Sequence, residues 1–259
     1  MKNSDQHFSK IAHAYKDLRT TDLEPIFFIK QKLQKHFPLA AADIGCGDGR
    51  YDEKLLQFFG AKTFLSCVDT NAEMLLHLKR TLKNRGTQNF EVKEATAEKL
   101  PFASESLDCI FTFNAIHHFK MPLFLKECER SLNDGGYLFI YTRLRSQNAR
   151  NIWGKYFPLF KRKETRLFKM SEMRQFCNQL TRLNIEDIEY FKFARCVPLD
   201  RLIEQAEGRH YSTFCLYTKD EFDRSLEQFI GNMQKRFTDK KKIHWVDENV
   251  LFVLRKRHT

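Results

Sequence analysis

The chain has 259 residues, 42 % hydrophobic and 14 % aromatic, which is enough for a large domain with a buried core and argues against a disordered chain. Its net charge of +11 is one-sided: residues 1–140 carry 19 Lys and Arg against 18 Asp and Glu, and residues 141–259 carry 25 against 15. No run of about 18 uncharged apolar residues is present, and Met1 to Lys10 lacks an apolar signal core, so a cytoplasmic protein without a membrane partner is expected. The seven cysteines are odd in number, and none stands in a Cys-x-x-Cys pair. That argues against a disulfide framework and a zinc site, and no metal is expected.

Residues 4–19 read as a helix, with Phe8, Ile11, Ala12 and Tyr15 at helical spacing. Residues 24–37 read as a second, with Pro25 at its start and Pro38 ending it. A strand is expected over Leu39 to Ile44, then a glycine turn and a helix from Tyr51 to Phe59. Thr63 to Val68 is a strand, Ala72 to Asn84 an amphipathic helix, and Asn89 to Lys93 a strand. Leu107 to Phe113 is an apolar strand, as expected when both faces are buried. Pro122 to Leu132 is a helix, Asn133 to Gly136 a turn, and Tyr137 to Tyr141 a buried strand. Such alternation implies a mostly parallel sheet covered by helices.

After Arg143 the pattern breaks. Residues 144–170 are basic and aromatic without clean periodicity. A helix over 171–182 and a strand over 185–193 resume the fold, residues 198–238 are helical, and Ile243 to Leu254 is a hairpin or a final strand.

The informative segment is Asp43-Ile44-Gly45-Cys46-Gly47-Asp48-Gly49, between a strand and a helix. Glycines at 45, 47 and 49 allow a sharp turn and the close approach of a ligand. Asp69 ends the next strand, where a carboxylate takes both hydroxyls of a ribose. Nicotinamide and flavin domains carry Gly-x-Gly-x-x-Gly to make room for a pyrophosphate. Here the spacing is Gly-x-Gly-x-Gly, and the carboxylate of Asp43 beside it suits an amine better than a phosphate.

Asp43-x-Gly45-x-Gly47-x-Gly49 resembles the first motif of the class I S-adenosylmethionine (SAM) dependent methyltransferases. Val68 to Leu75 resembles their second motif, and Glu94 to Phe102 is similar to their Gly-Asp-Ala-Glu-x-Leu-Pro-Phe segment. Leu107 to Ile110 resembles their fourth strand, Asn114 to Phe119 the loop after that strand, and Leu132 to Gly136 the turn before the fifth strand. The likeness runs from about residue 40 to 143, in order, and the subgroup it most resembles is the type 11 methyltransferases.

The resemblance implies a doubly wound, mostly parallel seven-stranded Rossmann-like sheet with helices on both faces and the last strand antiparallel. It implies SAM as cofactor and S-adenosylhomocysteine as product. Gly45, Cys46, Gly47 and Gly49 would line the methionine part, with Asp43 beside them, and Asp69 would bind the ribose diol. Thr70 and Met74 would pack near the adenine, Thr96 and Ala97 would border its amine, and Asn114, Ala115 and Ile116 would form the floor. The family usually has Asp where this chain has Thr96, which leaves that contact to the backbone of Ala97. An amino-terminal helix folds over SAM in similar enzymes, and this makes Tyr15 and Arg19 candidates.

Methyl transfer from a sulfonium is chiefly a matter of alignment. A base is needed only when the acceptor must lose a proton. His117 and His118, after the fourth strand, are the candidate bases, with His7 and His13 behind them. The segment after that strand lacks Asn-Pro-Pro-Tyr and Pro-Cys, which marks down DNA amino and pyrimidine-carbon acceptors.

Residues 143–169 hold nine basic residues and one acid, Glu164. Arg143, Arg145 and Arg150 there suggest an anionic acceptor held by charge-assisted hydrogen bonds. Trp153 and Tyr156 would wall it, joined by Arg209 and Tyr211. A small metabolite is the favoured acceptor. RNA, gripped by basic and aromatic side chains, and SAM binding without catalysis are the alternatives. The expected organisation is an amino-terminal helical lid (1–38), a SAM-binding α/β core (39–143), a basic and aromatic cap (144–170), and the rest of the fold (171–259) with a helical insertion near 195–240, in a monomer or homodimer.

Overall fold

The computed structural model describes residues 20–258. The expected helix over 4–19, with Tyr15, Arg19, His7 and His13, lies outside the described residues. The chain divides into two units. An α/β unit comprises Thr21–Thr142, Met170–Glu189 and residues 250–258; a second unit comprises Arg143–Lys169 and Tyr190–Asn249.

In the α/β unit, α1 (Glu24–Leu33) starts at Pro25 and buries Ile26, Ile29 and Leu33. Then follow β1 (Leu39–Ile44), α2 (Arg50–Phe59), β2 (Thr63–Asp69), α3 (Ala72–Asn84), β3 (Phe90–Glu94), β4 (Leu107–Phe113), α4 (Met121–Ser131) and β5 (Leu132–Thr142). The seven-stranded sheet runs β3-β2-β1-β4-β5-β7-β6, with β7 (Ile243–Lys256) last in sequence and β6 (Leu183–Val197) at the edge. Strands β1 to β5 pair in parallel, and β7 runs antiparallel to β5. Strand order reverses between β1 and β4, so the carboxyl ends of these two flank a switch point, where open α/β sheets bind ligands.

Burial explains these strands. In β4 every residue but Asp108 is buried, which requires cover on both faces. Asp108 Oδ2 instead accepts from the amide of Ala40 at 2.8 Å, tying β4 to the start of β1. Helix α3 starts at Asn71, whose side chain accepts from the amide of Met74 at 3.0 Å and satisfies an end group of the helix.

The second unit corrects the reading of residues 144–170. They form three short helices, α5 (Arg145–Arg150), α6 (Ile152–Tyr156) and α7 (Phe160–Lys163). None is longer than six residues, too short for an apolar repeat to register along the chain. After α8 (Met170–Cys177) in the α/β unit comes β6, and the second unit then adds α9 (Leu199–Glu207) and α10 (Lys219–Arg236). Helix α10 opens with a capping box, Thr218 with Glu221. The helix expected to reach residue 182 ends at Cys177. Strand β6 is longer than expected, and Ile243–Lys256 is one strand rather than a hairpin.

Aromatic packing holds the second unit. Trp153, Phe157, Phe160, Phe214, Tyr217, Phe222 and Phe229 form one buried cluster. Glu164, 2 % exposed, ties the helices together by accepting from Thr213 Oγ1 at 2.6 Å and from Arg166.

Candidate functional site

The turn Gly45–Gly49 lies at the carboxyl end of β1, and glycine is required there. All three glycines have positive φ, a region that side chains disfavour. A Cβ on Gly45 would lie 2.6 Å from Ala115 Cβ and 2.9 Å from Phe119 Cζ; one on Gly49 would lie 2.5 Å from Leu78 Cγ. The turn is therefore packed against the segment after β4 on one side and α3 on the other.

Four of its five amides are already engaged. Gly45 and Cys46 donate to Val68 O at 2.8 and 3.1 Å, and Gly49 donates to Cys46 O at 3.1 Å. Gly47 donates to Asp69 Oδ2 at 2.9 Å. A dinucleotide turn turns its amides outward to a pyrophosphate; here they face protein oxygens.

Around the turn stand Asp43 and Asp48, 1 % and 5 % exposed, the fully buried Asp52, and the half-buried Asp69. Asp43 Oδ1 and Asp48 Oδ2 have no hydrogen-bond partner among the described residues. Burial pushes the Asp43 carboxyl well above the usual carboxylate range, and the charges of Asp52 and Asp69 push it further. A cation at the turn would reverse both effects. Burial likewise keeps the Cys46 thiol protonated, so Cys46 lines the turn as a neutral group.

Asp52, in the first turn of α2, is pushed up to about 7, chiefly by burial. The folded protein therefore keeps a proton that the unfolded chain releases near pH 4. Folding stability should fall as pH rises from about 4 to about 7, because the folded state binds more protons there, and level off above. Asp52→Asn should remove this slope. The variant's advantage over the wild type, read from urea midpoints, is expected to be larger at pH 8 than at pH 5; an equal difference at both would show a carboxylate already ionised.

Most cofactor candidates fall at the carboxyl ends of the parallel strands. Met74 lies buried in the first turn of α3, and its Sδ is 3.6 Å from where a Cβ on Gly47 would sit. Asp69 and Thr70 end β2; Thr96 is exposed and Ala97 buried after β3. Asn114 follows β4 with φ of 55°, a costly conformation for a residue with a side chain, held by its amide donating to Tyr141 O at 2.7 Å. Ala115 and Ile116 are buried next to it. His117 is half-buried and His118 exposed, with ring centroids 4.1 Å apart. Sequence reasoning missed Asp48 and Asp52 as members of this cluster, although both stand within or just after the glycine segment.

The acceptor candidates lie in the second unit, and several have internal tasks. Trp153, 2 % exposed, packs against Phe214 and Phe229 with centroids 5.3 and 5.1 Å away, so it supports the unit rather than walling a substrate. Arg145 donates to Leu167 O and Thr165 O, both at 3.0 Å. Arg209 donates to Phe214 O at 3.0 Å and stacks on Phe222. Tyr156 packs edge-on against Phe237. Arg143 meets Tyr211 Oη at 3.1 Å and Asp247 at 3.3 Å. Arg150 pairs with Glu248.

Residues 42–140 match the family model described as "Methyltransferase domain". The chain is similar to the ubiquinone biosynthesis O-methyltransferase of Parvibaculum lavamentivorans, at 29 % identity over 47 % of this chain and 51 % of that one. It is similar to the tRNA U34 carboxymethyltransferase of Campylobacter curvus, at 31 % over 40 % of this chain and 34 % of that one. The chain thus spans about half or less of the length of the curated relatives it matches. In fold it is similar to the Haemonchus contortus phospholethanolamine N-methyltransferase 2, solved with phosphomonomethylethanolamine and S-adenosylhomocysteine: TM-score 0.56, 17 % identity, covering 91 % of this chain and 52 % of that one. With a sheet of this order, a glycine turn ringed by carboxylates and this match, residues 42–140 form a methyltransferase domain of the class I SAM-dependent family.

Proposed function

We propose that the protein is an enzyme that transfers the methyl group of SAM to a small anionic acceptor. The observation that carries the cofactor is the group of carboxylates around a turn most of whose amides are already engaged. That arrangement repels a pyrophosphate and suits a ligand with a positive charge and two ribose hydroxyls.

Each part of SAM has residues that fit it. Asp43, buried and short of a donor, accepts from the α-ammonium. Asp69 accepts from the ribose hydroxyls, since a carboxylate oxygen that takes one backbone amide keeps a second lone pair. Met74 and Ala97 give the adenine an apolar seat, with the backbone of Ala97 facing its amine. Asn114, Ala115 and Ile116 floor the methionine end. SAM, when bound, supplies a methyl group already activated by its sulfonium. The chain's task is then to hold an acceptor in line, with His117 or His118 taking a proton from an acceptor that carries one.

Charge supports an anionic acceptor. The second unit carries 20 Lys and Arg against 11 Asp and Glu, whereas the α/β unit carries 20 of each. The same excess favours a second reading, in which the acceptor is RNA, as the name of the Campylobacter curvus relative states for that protein.

Labelled methyl transfer into a fractionated cell extract tests this. Label in the small-molecule fraction is the expected result. Label in the RNA fraction, falling steeply with salt, would establish the second reading. Absence of SAM binding by calorimetry would overturn both.

A further inference from the structure

Outside the cofactor site the second unit carries a nucleophile with a base beside it. From Tyr190 onward β6 shows alternate residues to solvent, Tyr190, Lys192, Ala194 and Cys196, as a strand's period of two requires. Next to it, Lys242, His244 and Val246 are exposed at the start of β7. Cys196 Sγ lies 3.6 Å from His244 Nε2. We propose that Cys196, with His244 as its proton acceptor, is a thiol–disulfide exchange site that takes small anionic disulfides.

Comparison with the other six cysteines supports the assignment. Cys46, Cys67, Cys109, Cys128 and Cys177 are buried, and Cys215 is half-buried. Burial raises the thiols of Cys46, Cys67, Cys109 and Cys128 well above their usual range and that of Cys177 to about 11. A protonated, enclosed thiol neither attacks nor is reached. Cys196 alone among the seven is exposed.

The charges near the pair favour an anion. Lys192 lies on the same exposed face of β6 as Cys196, and Lys241 and Lys242 precede β7. The acids on β7 have partners: Asp247 pairs with Arg143 and Arg195, and Glu248 with Arg150. Asp200, exposed in the first turn of α9, is the acid that follows Cys196 in the chain.

The step balances without a further reagent. The thiol proton passes to His244 Nε2, and the sulfur attacks one sulfur of the disulfide. One S–S bond forms and the other breaks. The departing thiolate takes the proton from His244, and a thiol returns the site to its reduced form by the reverse step. Cys196 is oxidised to a mixed disulfide while the other half of the reagent is reduced.

The experiment uses the full chain with glutathione disulfide as the probe, peptide mass spectrometry to locate adducts, and iodoacetamide to read rates at each cysteine. Cys196 is expected to react about tenfold faster than Cys215 near pH 7, with the mixed disulfide on Cys196. His244→Asn should slow Cys196 several-fold at that pH and leave Cys215 unchanged. Equal rates at Cys196 and Cys215, an unaltered Cys196 rate in His244→Asn, or no mixed disulfide on Cys196 would overturn the assignment.

Discussion

Asp69→Ala is expected to weaken SAM binding by roughly 10- to 100-fold, or about 1–3 kcal/mol, the scale of hydrogen bonds lost from a charged group. Two effects add. In the proposed binding mode the ribose hydroxyls lose their acceptor. Asp69 also holds the turn, since it accepts from Gly47 at 2.9 Å and from the amide of Asn71 at 2.9 Å. Removal of the carboxylate frees the Gly47 amide. Asp69→Asn should fall between the two, because the amide keeps one acceptor oxygen. Titration calorimetry with S-adenosylhomocysteine reads the effect without turnover, and unchanged affinity in a folded Ala variant would remove Asp69 from the site.

Phe214→Ala is expected to cost the fold roughly 3–5 kcal/mol, the range for truncating a fully buried ring. Phe214 is 0 % exposed and meets Phe157, Phe160 and Trp153 with centroids 5.0, 5.1 and 5.3 Å away. Arg209 clamps its carbonyl at 3.0 Å, so the backbone cannot sink into the cavity and the vacated space stays open. Urea denaturation followed by circular dichroism measures the loss. Phe64→Ala, at a ring 47 % exposed on β2, is the contrast and should change stability by less than about 1 kcal/mol.

Much of the α/β unit was legible because its signals are local. Helix α3 declares itself through Met74, Leu75, Leu78 and Leu82 at helical spacing, and β4 through a mostly apolar run interrupted by Asp108 and Thr112. The glycine turn was legible for the same reason, since spacing and a preceding carboxylate are read from seven adjacent residues. What the sequence did not show depends on contacts between distant segments. Trp153 reads as a substrate wall when seen only among its basic neighbours. It becomes a core residue once Phe214 and Phe229, some 60 and 76 positions away, close on it. The same holds for Arg145 and Arg209, whose carbonyl partners no pattern announces. In the turn, the engagement of the Gly45, Cys46 and Gly47 amides is a tertiary fact, and it is what separates this site from a dinucleotide turn.

The order of the sheet bears on how the protein is made. Strand β7 comes last in sequence yet lies between β5 and β6, so a nascent chain that has emerged through β6 still presents β5 as a bare edge. Residues 137–142 of that edge pair with residues 250–255, more than a hundred positions later, and such distant pairing is slow to form. Until β7 arrives, the apolar run Tyr137 to Tyr141 is open to pairing with another chain. Synthesis therefore passes through a stage in which a shielding partner, such as a chaperone, has something specific to cover, and a ribosome stalled before Val250 would release a product prone to aggregate.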